Sequence, residues 1–219
     1  GTVRSKEQST PRYTGPAVGG DTRLFRYALP EGPQYHPLIE ESLTQWELLN
    51  EHTGRTVYQR TGCLYIGDQH HPYMEAMLSS IASTGTAVEL LTHRDATARY
   101  PQHHLLDGDI VAYDPQGGVL RTDTAVQASV GLALNAGARI VTHEAVRSIT
   151  PPASGGYTVR TGNRSYQAGD VVVAGGSWSG TLLSPRLRAF THPRRTTLTW
   201  FGFHDAAPYS PDRFPVFKR

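Results

Sequence analysis

Arg23 and Arg26 stand three residues apart in Gly19-Gly-Asp-Thr-Arg-Leu-Phe-Arg-Tyr27, beside paired glycines and among apolar side chains. A planar guanidinium matches a carboxylate with two parallel N–H donors, so a partly buried arginine here could anchor an amino acid. The same spacing equally suits surface ion pairing. Three residues is one face of a helical turn but opposite faces of a strand, so one arginine could face a substrate while the other faces elsewhere. A second stretch, Asp170-Val-Val-Val-Ala-Gly-Gly-Ser-Trp-Ser179, reads as a strand over Val171 to Ala174, a glycine turn and a helix start capped by Ser177 or Ser179. Gly175 and Gly176 remove the side chains that would keep a ligand from the first helical amides. The plainer reading is a strand-to-helix connection that needs glycine for its dihedrals.

Other chemistries find little support. His70-His71 and His103-His104 are adjacent pairs whose rings diverge, and neither has a partner at metal-ligand spacing, so no metal is expected. No Gly-x-Ser-x-Gly occurs, which argues against a serine hydrolase. Cys63 is the single cysteine, which excludes an intrachain disulfide; within Gly62-Cys-Leu-Tyr-Ile66 it reads as a buried, inert thiol.

The elements that would position these residues follow from periodicity. Helices are expected over Pro37 to Glu51, Tyr73 to Ser83, around Asp95 to Tyr100, and from Arg121 to a stop at Asn135 and Gly137. Strands are expected at Thr56 to Tyr58, Cys63 to Ile66, Val88 to Leu91, Ala138 to Thr142, Ala145 to Ile149, Gly156 to Arg160 and Arg164 to Gln167. Tyr113 to Gly118 reads as a turn, and Thr196 to Phe203 as a strand with one wet face. Residues 1–20 carry no periodicity and read as loop or partly disordered. A net charge of +2 with scattered basic residues points to neither nucleic acid nor an anionic membrane. There is no run of about eighteen apolar residues and no apolar leader core, so a cytoplasmic protein is the expectation.

Gly20-Asp-Thr-Arg-Leu-Phe-Arg-Tyr-Ala28, then Glu31-Gly-Pro-Gln-Tyr-His-Pro-Leu38, Gln45-Trp-Glu-Leu48, Arg60-Thr-Gly-Cys-Leu-Tyr-Ile-Gly67 and the Gly175-Gly176 turn occur in this order. Together they resemble the amino-acid oxidase superfamily, in particular the group of monomeric sarcosine oxidase and N-methyltryptophan oxidase. The resemblance implies that Arg26 contributes to the substrate carboxylate site and that Arg23 lies close to a flavin in the catalytic centre. It also implies FAD contacts from Gly19, Gly20, Val146, Gly175, Gly176 and Trp178. One departure is Val18-Gly19, where the family usually has histidine before its Gly-Asp-Thr-Arg.

The implied fold class is α/β: part of a FAD/NAD(P)-binding Rossmann-like domain interleaved in sequence with a mixed-sheet α+β substrate domain. Segments 21–66 and 119–184 would be FAD-domain-like, and segments 67–118 and 185–219 substrate-domain-like. The implied reaction is oxidation of the CH–NH bond of a secondary amine or N-methyl amino acid, giving imine or aldehyde and hydrogen peroxide, with FAD as cofactor. No Gly-x-Gly-x-x-Gly follows an apolar strand in this chain. The chain therefore reads as the middle of such an oxidase, with weak flavin binding by itself unless a second chain or copy completes the sheet. The alternative is a non-catalytic fragment, or a binding or partner module that has lost flavin binding.

Overall fold

The computed structural model describes residues 4–6, 22–151, 155–194, 197 and 199–219. In chain order these form β1 (Arg4–Lys6), β2 (Thr22–Phe25), α1 (His36–Thr53), β3 (Tyr58–Arg60), β4 (Cys63–Asp68), α2 (Pro72–Thr84), β5 (Glu89–Leu91), α3 (His93–Arg99), β6 (Asp109–Asp114) and β7 (Gly118–Arg121). They continue as α4 (Thr122–Asn135), β8 (Arg139–Val141), β9 (Val146–Thr150), β10 (Tyr157–Thr161), β11 (Ser165–Ala168), α5 (Ser179–Leu182), α6 (Pro185–Arg188) and β12 (Val216–Lys218). The fold is mixed α/β with several sheets, as expected. The chain divides into two compact units, one of residues 1–20 and 126–199, the other of residues 21–125 and 200–219. No helix among the described residues is long and apolar enough to cross a membrane.

The unit of residues 21–125 and 200–219 is built on a four-stranded sheet in the order β12-β4-β6-β5. β12 runs parallel to β4, and the other pairings are antiparallel. Successive side chains of a strand point to opposite faces, and here both faces are covered, which is why Cys63 to Ile66 is an unbroken apolar run. Cys63, Tyr65 and Ala112 pack with Met74 and Met77 of α2. Leu64, Ile66 and Val111 pack on the other face with Leu91, Ala96 and Tyr100. Tyr65 is fully buried, a gain of about 2 kcal/mol from the apolar part of its side chain.

A second antiparallel sheet, β2-β7-β3, lies under α1 in the same unit. Phe25, Tyr27, Leu43 and Tyr58 form its core with Ile39, Trp46 and Leu120. Pro37 sits in the first turn of α1, where a missing amide donor costs nothing. α2 is capped by His71, whose Nδ1 accepts the Tyr73 amide at 3.2 Å.

Four strands of this unit, β2, β6, β7 and β12, lie outside the strand set expected from the sequence. The Tyr113 to Gly118 turn is shorter than expected, because β6 runs to Asp114 and β7 starts at Gly118. A Cβ on Gly117 would fall 2.3 Å from the Cβ of Cys63, so this turn reaches β4 only without a side chain.

The unit of residues 1–20 and 126–199 holds a parallel pair, β1 with β8, and an antiparallel sheet in the order β11-β10-β9. Arg4–Lys6, inside the stretch expected as loop, is a strand because Arg139–Val141 supplies it with a ladder. Val171 to Ala174 corrects the opposite way. It forms no strand, no strand among the described residues pairs with it, and Val172 is 91% exposed. A β-branched run becomes a strand only where a neighbour takes its backbone hydrogen bonds.

The stretch Thr196 to Phe203 corrects likewise. Thr196 and Leu198 lie outside the described residues, residues 199–203 form no strand, and Trp200 and Phe201 are exposed. The expected serine cap is also replaced. Gly176–Trp178 wind as a tight 3-10 turn that runs straight into α5, with the Trp178 amide bonded to Gly175 O at 3.0 Å and no side-chain cap.

Candidate functional site

Arg23 lies within β2, opposite Leu120 of β7, and Arg26 is the first residue past the strand. Strand alternation therefore decides their directions. Phe25 faces the core under α1, and Leu24 packs into the cluster that Tyr73 and Val216 also border. Arg26 emerges on the Leu24 side. Its Nη1 donates to the hydroxyl of Tyr73 at 3.1 Å and its Nη2 to Glu31 Oε1 at 3.0 Å. Arg23 Nη1 donates to its neighbour's carbonyl, Thr22 O, at 2.8 Å. The two arginines thus have separate surroundings, the outcome the strand alternative predicts.

The Arg26 side chain is 23% exposed and that of Glu31 46%. Burial works against the Arg26 charge, but the hydrogen bond and charge of Glu31 and the Tyr73 hydroxyl outweigh it and raise its pKa. Burial also pushes the Glu31 carboxyl up; the Arg26 hydrogen bond, its own backbone amide and the charges of Arg26 and Lys218 bring it below the ordinary value. Lys218, at the end of β12, places its Nζ 4.0 Å from the centroid of the Tyr73 ring. The group is a half-buried guanidinium held open by a tyrosine hydroxyl and closed by an exposed carboxylate. A substrate carboxylate could take the place of Glu31.

Behind Arg26 the backbone is fixed from two sides. Asp114 Oδ2 accepts the amides of Tyr27 at 2.9 Å and Ala28 at 3.1 Å, and its Oδ1 accepts Gln116 N at 2.9 Å. The Tyr65 hydroxyl donates to Ala28 O at 2.5 Å. Cys63 is buried, and burial followed by the Asp114 charge pushes its thiol up to about 12, so it stays a protonated core group.

The remaining candidates lie in the other unit or outside the described residues. Gly19 and Gly20 lie outside the described residues. Val146 opens β9, and α5, which follows the Gly175-Gly176 turn, packs near that strand. Gly176 has φ +53°, a conformation that favours glycine, and a Cβ on Gly175 would meet nothing nearer than 3.4 Å. Trp178 is 42% exposed beside them. A bare, exposed backbone turn next to an indole fits a flat ring or a phosphate ester. Among the described residues no three His, Cys, Asp or Glu side chains gather as a metal site.

Sequence reading missed Glu31 as the partner of Arg26, along with Tyr73, Lys218 and Asp114. Glu31 is five residues from Arg26 and could have been weighed as its ion pair. Asp114 and Lys218 reach the site through sheet topology, and Tyr73 through the packing of α2 on the sheet.

A family model described as FAD dependent oxidoreductase matches residues 9–218. N-methyl-L-tryptophan oxidase of Salmonella typhi is 31% identical over 211 residues, which cover 94% of this chain and 54% of that protein. The Citrobacter koseri protein of the same name is 30% identical over 198 residues, covering 90% and 52%. The chain spans about half the length of the curated relatives it matches. NikD, an unusual amino acid oxidase essential for nikkomycin biosynthesis, superposes with a TM-score of 0.72 and 25% identity over 84% of this chain and 47% of its own. Glycine oxidase from Geobacillus kaustophilus shares the fold at a TM-score of 0.68 and 21% identity, over 83% of this chain and 50% of its own. This chain belongs to the DAO family of FAD-dependent oxidoreductases.

Proposed function

We propose that this chain carries the carboxylate-anchoring part of an oxidase acting on the CH–NH bond of an N-methyl or other secondary amino acid. The observation that carries the reading is the half-buried Arg26, supported by Tyr73 and countered, among the described residues, by the exposed Glu31. Relatives named N-methyl-L-tryptophan oxidase support the substrate class. Arg26 would hold the α-carboxylate bidentately, with Tyr73 keeping the guanidinium plane oriented, and so fix which C–H bond is presented. FAD, when bound, supplies the two-electron acceptor for that bond. Val146, Gly175, Gly176 and Trp178 would hold it together with Gly19 and Gly20, with Arg23 near its ring. The overall change would be a secondary amine, oxygen and water going to a primary amine, an aldehyde and hydrogen peroxide. A cytoplasmic setting agrees with the scattered charge and the single, buried thiol.

The test is an absorbance spectrum after incubation with FAD and desalting, followed by a peroxide assay on N-methyl amino acids. A retained flavin band, with peroxide that is lost in Arg26→Gln, supports the oxidase. Binding of N-methyl amino acids without flavin supports a binding module instead. Failure of both overturns Arg26 as a carboxylate anchor.

A further inference from the structure

Tyr73 is in contact with two cations: Arg26 Nη1 lies 3.1 Å from its hydroxyl and Lys218 Nζ lies over its ring, 4.0 Å from the centroid. Two like charges bridged by one side chain repel, and the fold brings them together by pairing β12 in parallel with β4, Lys218 opposite Tyr65. Glu31 is the acid that answers them. Among the described residues Lys218 has no carboxylate within ion-pairing distance, and the Tyr73 hydroxyl proton has no acceptor. The constellation therefore holds one positive charge in excess and three donor groups, Arg26, Tyr73 and Lys218, around one tyrosine.

The charge of the ligand follows from that excess. A zwitterionic amino acid with an apolar side chain is neutral and leaves the surplus unanswered. An amino acid with a second carboxylate carries one net negative charge and cancels it. We infer that Lys218 is a specificity-determining residue, and that the substrate is an acidic secondary amino acid whose α-carboxylate takes Arg26 and whose side-chain carboxylate takes Lys218. Tyr73 spaces the two cations and orients the Arg26 guanidinium toward the α-carboxylate. The inference rests on the reading of Arg26 as the carboxylate anchor.

The test is calorimetric titration of the full chain with N-methyl-L-aspartate and with N-methylglycine, which needs no flavin. The diacid should bind about fivefold more tightly, the upper worth of one exposed ion pair. Lys218→Gln should bring the ratio to within about twofold and Lys218→Arg should keep it, with circular dichroism unchanged because Lys218 is exposed. A ratio unmoved by Lys218→Gln, or no preference in the parent chain, overturns the role of Lys218. Arg26→Gln should weaken both ligands together. If it weakens neither, the anchor reading falls, a result distinguishable from failure at Lys218. Absence of binding by either ligand overturns both.

Discussion

The carboxylate of Asp114 accepts the backbone amide of Tyr27 at 2.9 Å, and Tyr27 is the residue directly after Arg26. The same carboxylate holds Ala28 N and Gln116 N, so one fully buried side chain ties the end of β2 to the turn between β6 and β7. Asp114→Ala strands these amides in the core and should cost about 3 to 5 kcal/mol, read as a fall in the urea midpoint. Asp114→Asn keeps one acceptor oxygen and should cost less, about 2 kcal/mol.

The same carboxyl predicts a pH dependence. Burial raises its pKa against the pull of the Ala28, Tyr27, Gln116 and Gly117 amides toward the charged form. The native carboxyl then binds its proton more tightly than in the unfolded chain, where the pKa is about 3.9. Its contribution to stability is complete below that value and is lost as pH rises through the raised native pKa. Denaturant midpoints measured across this window should show a decline in the parent chain that Asp114→Asn lacks. Equal slopes in the two proteins would refute the assignment.

Glu31→Gln separates stability from binding. The carboxylate is nearly half exposed, so solvent screening leaves the pair with Arg26 worth about 0.5 kcal/mol or less. Its lowered pKa places that small contribution above the unfolded value of about 4.3, lost as pH falls through the native one. On the proposed reading a ligand carboxylate would compete with Glu31 for the same guanidinium. Glu31→Gln should therefore bind N-methylglycine about twofold more tightly while the thermal midpoint moves by only a degree or two. Weaker binding would mean that Glu31 positions the ligand rather than competes with it.

How much of this could be read from the chain differs between elements. α1, α2 and β4 were legible because their apolar residues repeat at the helical period or run unbroken between two covered faces. Val171 to Ala174 has the same strand composition, yet a strand is a property of a pair, and composition does not say whether a partner is at hand. Arg26 stood out through its motif. Which way it points became decidable only with β2 as a strand, and its contact with Tyr73, 47 residues away, comes from packing of α2 on the sheet. Lys218 is hidden for a similar reason, since three residues at the end of the chain show no periodicity before β12 finds β4.

Gly117→Ala should act on the scaffold alone. The added methyl meets the Cys63 Cβ at 2.3 Å and the Cys63 backbone nitrogen at 2.9 Å, in a place where neither can swing away. The turn or β4 has to shift, at about 1 to 3 kcal/mol. Thermal unfolding should show this loss. A simultaneous loss of carboxylate affinity would show that Asp114, three residues earlier, transmits the shift to Arg26.

Tyr73→Phe removes one oxygen and leaves the ring on which Lys218 rests, so it isolates the hydroxyl from the packing. Arg26 then keeps Glu31 alone and gains the freedom to follow it toward solvent. Loss of one hydrogen bond to a charged group should weaken N-methylglycine binding by about five- to tenfold, while the cost to folding stays below about 1.5 kcal/mol because the site is partly open to water. Combining the change with Arg26→Gln sharpens the reading. If the hydroxyl acts by orienting the guanidinium, the double variant should bind no worse than Arg26→Gln alone. Additive losses would instead mean that Tyr73 donates to the ligand independently of Arg26, through the proton that has no other acceptor among the described residues.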